Sequence, residues 1–251
     1  MDELKLKNHI VIPKRVREYM IELLSMFIAV ILAFISQYFF QYKLDRSTEH
    51  DLMESMVADL RTDIKNIDSL QSKLPEVLKI SDDLDEAFRS DYKSLANQKA
   101  IYSAFYQLIL YKYQVDLSTS TINQLKNSGG LHLLLNKDVS NAIVDYDNEI
   151  HHLNIYEANL GSRKQMLLND EINVLYPRAY KNYVIDTRFI EETYRKNGTA
   201  FISMNFETVM HFNNSIQNFT LYCLGYDTYC NTQKAKAEKL ISLIKSRYHL
   251  E

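Results

Sequence analysis

The chain has 251 residues, 46% hydrophobic and 24% charged, a composition that excludes a disordered tail and supplies enough apolar surface for a folded core. Twenty-nine Lys and Arg against 32 Asp and Glu leave a net charge of -3, so there is no basic surplus to grip phosphates and nucleic acid is not an expected partner. With 5 Gly and 3 Pro, turn-forming residues are too few for a β-sandwich, a Rossmann sheet or a P-loop enzyme, and the expected fold class is all-α.

Residues 1–18 carry Lys5, Lys7, Lys14, Arg15 and Arg17 against Asp2, Glu3 and Glu18. Residues 19–40, YMIELLSMFIAVILAFISQYFF, follow as the strongest signal in the chain. Twenty-two helical residues rise about 33 Å, enough to cross a hydrocarbon core of roughly 30 Å. The run is apolar on every face, interrupted only by Glu22, Ser25, Ser36 and Gln37, and flanked by Tyr19, Tyr38 and Tyr42 where interfacial aromatics belong. It lacks the small-residue ending of a cleaved signal peptide, so it reads as a retained transmembrane helix. Five cations before the span against Lys43 and Arg46 after it place the N-terminus in the cytoplasm. The expected organisation is a basic cytoplasmic segment over 1–18, the span over 19–40, and an extracytoplasmic, slightly acidic all-helical domain over 41–251. The lipid bilayer is thus the first expected partner. Glu22 lies one turn inside the span, where a carboxylate at the centre would cost about 2.5 kcal/mol or more. It either reaches the headgroups to pair with Arg15 or Arg17, or makes a polar contact to another membrane helix.

Beyond the span, Met53, Val57, Leu60, Ile64, Ile67, Gln71 and Leu74 alternate spacings of four and three, the pattern of a heptad seam with one polar member. The seam fits a coiled coil between copies of the chain or one helix of an intramolecular bundle, and the spacing alone does not choose. Pro75 ends this helix. Helices are expected over 76–92 and 96–115, the latter through Ile101, Phe105, Leu108 and Tyr111. A short helix through Ile122 and Leu125 stops at Gly129-Gly130. A long helix over 138–175, capped by Asp138 and ended by Pro177, buries Val139, Ile143, Tyr146, Ile150 and Leu153. After a linker around 196–199, Asn205 caps a helix over 206–224, and a final helix covers 232–248.

Residues 17–19 with IELLSMFIAVILAF, and the segment 118–146, STSTINQLKNSGGLHLLLNKDVSNAIVDY, resemble a family of uncharacterised single-pass membrane proteins of Bacteroidota-type bacteria. The resemblance covers about 60 residues. It implies an N-terminal anchor in a bacterial inner membrane with a helical periplasmic domain, and no assigned activity or catalytic residue.

Candidate chemistry is sparse. Glu149 and His152 stand three apart on one helix face, the half-site spacing of carboxylate-bridged di-iron bundles, but no second Glu-x-x-His exists to complete such a centre. Cys223 and Cys230 would lie about 10.5 Å apart on one straight helix, too far to bond. A turn at Gly225 and the following YDTY would bring them together as a disulfide; free buried thiols are the alternative. The aromatics of 102–113 and Tyr176, Tyr180 and Tyr183 line either a ligand pocket or the core. The sequence therefore points to no cofactor and no catalytic residue. Three readings follow: a membrane-anchored scaffold of the cell envelope with a protein partner or homo-oligomeric state, a ligand-binding sensor ectodomain signalling through a partner, or a metal-dependent enzyme at Glu149 and His152.

Overall fold

The computed structural model describes residues 13–127, 129–181 and 184–250; the cytoplasmic segment expected over 1–18 lies largely outside them. The protein is all-α, 82% helical and 3% strand. Its elements are α1 (Lys14–Gln71), α2 (Leu74–Arg89), α3 (Leu95–Leu110), α4 (Ser120–Asn127), α5 (Lys137–Glu171), the two-residue strands β1 (Tyr180–Lys181) and β2 (Val184–Ile185), α6 (Thr187–Asn197) and α7 (Phe206–Tyr248).

The chain divides into two compact units, Met1–Asp51 and Leu52–Glu251, a boundary about ten residues beyond the expected end of the span. In the first unit, α1 opens at Pro13, whose carbonyl accepts from the amides of Val16 and Arg17, consistent with the tolerance of the first helical turn for proline. Every residue from Lys14 to Leu44 is exposed, and an 18-residue window within α1 reaches a mean hydropathy of 2.2 with nothing covering it. Polar order returns at the end of the unit, where Gln41 donates to Asp45 and Arg46 pairs with Glu49.

The second unit is built around two long helices, α5 and α7, packed antiparallel. Contacts rise in number along α5 as they fall along α7: Asp138 with Arg247, Glu149 with Lys236, Glu157 with Tyr226, Arg163 with Tyr222, and Asp170 with Ser215. The pair presents two apolar faces. Its N-terminal α5 and C-terminal α7 halves, through Val139, Ile143, Tyr146, Ile150, Ala237, Leu240 and Ile244, pack with Met53, Val57 and Leu60 of α1 and with Ile122 and Leu125 of α4. The other halves enclose a larger cluster with α2, α3 and α6, dominated by Phe88, Tyr102, Phe105, Phe201, Phe212 and Phe219. Edge-to-face ring pairs such as Phe105–Phe212 at 5.1 Å and Phe88–Phe212 at 5.7 Å fill its centre.

Several boundaries shift for local reasons. Asn136, not Asp138, caps α5, accepting from the amides of Asp138 and Val139. The helix stops at Glu171, where turns at residues 172–174 lead to Leu175 bridging Phe201. Helix α6 and the β1–β2 pair were not expected; Asp186 caps α6 through the amide of Phe189. The separate helices expected over 206–224 and 232–248 are one helix, α7, and Gly225 marks no turn. A methyl group at position 225 would overlap the Tyr156 hydroxyl and come within 3.0 Å of its Cζ, so the glycine lets the Tyr156 ring of α5 lie against α7. Gly129, at φ 68°, holds the left-handed corner expected after α4.

Candidate functional site

The seam residues are enclosed by their own chain. Met53, Leu60 and Ile67 have no exposed surface, Val57 is buried, and Ile64 and Leu74 pack at the margins of the same clusters. Gln71, the polar member, donates from Nε2 to Asp227 at 2.7 Å and Asn231 at 3.0 Å on α7. The physical reason is coverage: α4, α5 and α7 already fill the grooves beside this stripe, so it has no face left for a coiled coil between copies. Glu22 is exposed, and among the described residues its carboxylate meets neither Arg15 nor Arg17; only its backbone carbonyl is engaged, accepting from Ser25 Oγ at 2.7 Å.

Among the described residues, Glu149 and His152 are not gathered with further ligands. Lys236 Nζ lies 2.6 Å from Glu149 Oε2, an ammonium in the place a cation would need, while His152 is exposed. The disulfide is likewise corrected. Cys223 and Cys230 are free and buried two turns apart on unbroken α7, and burial pushes both thiols up to about 12, so neither is a reactive thiolate. The aromatics of 102–111 are core: Tyr102 donates to the carbonyl of Ala200 at 2.7 Å and accepts from the amide of Tyr176 at 2.9 Å, tying α3 to two connecting segments. Tyr183 lies outside the described residues.

Two buried carboxylates have opposite circumstances. Asp63 of α1 is fully buried but satisfied: it accepts from the Tyr146 hydroxyl at 2.6 Å and the Ser118 amide at 2.6 Å, while neighbouring Asp59 accepts from the Thr121 hydroxyl at 2.7 Å. These acceptors pin the start of α4 to α1. Burial nevertheless raises the Asp63 pKa, against the lowering effect of those hydrogen bonds. Glu171, at the end of α5, is buried with Oε1 unpartnered, and burial lifts it to about 7. The hydroxyls of Tyr106 and Tyr180, whose rings stack at 5.5 Å, are also buried without partners.

A polar recess lies on the α5–α7 seam, a groove of about 430 Å³ lined by Arg163, Met166, Leu167, Asn169 and Asp170 of α5 and His211, Asn214, Ser215 and Asn218 of α7. The Arg163 guanidinium lies 4.6 Å from the Tyr222 ring centre and donates to its hydroxyl at 2.9 Å. Asp170 Oδ2 accepts from Ser215 Oγ and sits 3.5 Å from His211 Nε2. Ser215 and His211 both meet the carboxylate, so no serine–histidine relay for nucleophilic catalysis is assembled. The groove did not emerge from the sequence because no motif marks it. A usable signal was present: His211, Asn214, Ser215, Asn218 and Tyr222 recur at spacings of three and four beside the buried Phe212, Ile216, Phe219 and Cys223.

Comparison of the chain with family models, with curated proteins and with solved structures returns no match, so function has to be argued from this geometry alone.

Proposed function

We propose that this is a membrane-anchored helical interaction protein of the cell envelope, with residues 19–40 as a single-pass span, the N-terminus cytoplasmic, and the remainder a periplasmic helical bundle. One observation carries the reading: among the described residues, the N-terminal half of α1 is a long apolar surface left without cover by the fold, while most apolar side chains of the other helices pack into two clusters. The five-to-two cation asymmetry supports the orientation. The protein's partner is another membrane protein or a second copy, engaged through surfaces other than the Met53–Leu74 stripe.

Chemical crosslinking in native membranes, followed by purification in mild detergent and mass spectrometry, tests the proposal. A stoichiometric partner or a defined homo-oligomer supports it; a lone monomer refutes it. Release from membranes by alkaline carbonate would refute the anchor separately. The ligand-binding reading is favoured by one specific observation, the open polar groove between α5 and α7.

A further inference from the structure

The α5–α7 seam is a ladder of polar rungs. Asp138–Arg247, Glu149–Lys236, Glu157–Tyr226 and Arg163–Tyr222 succeed one another along it, and Asp170–Ser215 follows two turns later. Between the last two, α7 offers Asn218, and Asn214 stands one turn from it beside the Ser215 rung; both are exposed, and neither amide has a side-chain hydrogen bond among the described residues. The groove lies along this stretch.

Its two ends carry opposite charge. Arg163 uses one terminal nitrogen on the Tyr222 hydroxyl and the other on the Met166 sulfur at 3.9 Å, and its fork of five N–H donors has further hydrogens to offer. The aromatic contact beneath it fixes the guanidinium plane. Asp170 meets both Ser215 and His211 through Oδ2, so Oδ1 remains available. Arg163 and Asp170 stand seven positions apart on α5, a backbone rise of about 10.5 Å along the helix axis. An anionic ligand would meet Asp170, a cationic one would meet Arg163, and a neutral polyol would leave both charges unanswered. A ligand with a carboxylate at one end, an ammonium at the other and amide groups between would answer every polar element.

We propose that this groove binds a short peptide with free termini. Its α-carboxylate pairs with Arg163, its α-ammonium with Asp170, and its peptide groups with Asn214 and Asn218, over the apolar floor of Met166 and Leu167. Three extended residues span about 10 Å, comparable with the rise between the two α5 positions. The inference rests on the ligand-binding reading and is independent of the scaffold reading, which crosslinking tests on its own.

The experiment is calorimetric titration of the full chain in detergent micelles with trialanine, N-acetyl-trialanine and trialanine amide. Trialanine should bind, and each blocked end should weaken binding about 10-fold, the loss of one charge-assisted contact of about 1.4 kcal/mol. In Arg163→Gln the amide should no longer be penalised, and in Asp170→Asn the acetyl group should no longer be. Because those side chains also hold the seam, Asn218→Phe provides a second test: it fills the groove from an exposed position and should abolish binding while the melting temperature stays within error. No binding of trialanine at millimolar concentration, equal binding of free and blocked peptides, or end-group penalties that persist in the matching variants would overturn the proposal.

Discussion

Helix α1 contains two apolar stretches that meet different fates. Leu32 in the first is 57% exposed and Leu60 in the second is fully buried, although both are leucines in the same helix. The difference lies in pattern. Residues 19–40 are apolar around the whole circumference, which no single packed neighbour can cover, whereas 53–71 confine their apolar side chains to one stripe that neighbouring helices enclose. Circumference, and not hydrophobicity, separates the stretch that suits lipid from the stretch that builds a core.

The most direct way to break this comparison is to truncate both leucines. Leu60→Ala should cost about 2–5 kcal/mol and lower the melting temperature clearly, whereas Leu32→Ala should leave the melt of the helical domain in detergent unchanged. Equal losses would erase the distinction.

A carboxylate buried in the domain sharpens it next. Glu171 has a pKa near 4.5 when unfolded and about 7 when folded. Its contribution to stability is therefore fully present below about pH 4.5 and is lost as pH rises through 7, by about 3 kcal/mol. Urea titrations at pH 5 and pH 8 should show the domain weakening at the higher pH, and Glu171→Gln should remove most of that slope. A slope unchanged in the variant would assign the effect elsewhere.

Smaller effects probe how the buried stripe is held in place. Tyr146→Phe removes the hydroxyl that donates to buried Asp63 and should cost about 1–3 kcal/mol by equilibrium unfolding, with Asp63→Asn recovering part of it. Gly225→Ala gains helix propensity of about 1 kcal/mol but overpacks Tyr156 by about 1–3 kcal/mol, so a net loss near 1 kcal/mol is expected. In a Tyr156→Leu background the sign should reverse. Adding reductant should change nothing, since Cys223 and Cys230 are thiols, and maleimide should label them only after denaturation.

Much of the fold was legible because it rests on periodicity. The buried residues Val139, Ile143, Tyr146, Ile150 and Leu153 of α5 follow from spacing, and Asn205 as the cap of α7 follows from residue chemistry, its side chain accepting from Thr208. What stayed hidden depends on distant partners. Gly225 reads as a break because glycine disfavours helices, and only the Tyr156 ring arriving from α5 explains its place inside one. The disulfide expectation failed with the turn it required. Nor does a heptad stripe say whose side chains will cover it, and Glu149 looks ligand-like until Lys236, 87 residues away, is found against it. The groove is less legible still, because it exists only where α5 and α7 meet.

The lower apolar cluster joins Met53 and Val57, near the start of the domain, to Ala237, Leu240 and Ile244 on the last turns of α7. This cluster cannot close during synthesis until residue 244 has emerged, so if residues 19–40 span a bilayer as proposed they would be committed to it long before the cluster forms. Nascent chains stalled before residue 237 should be protease-sensitive around residues 52–60, and a ribosome pause there would leave half a core waiting for its other half.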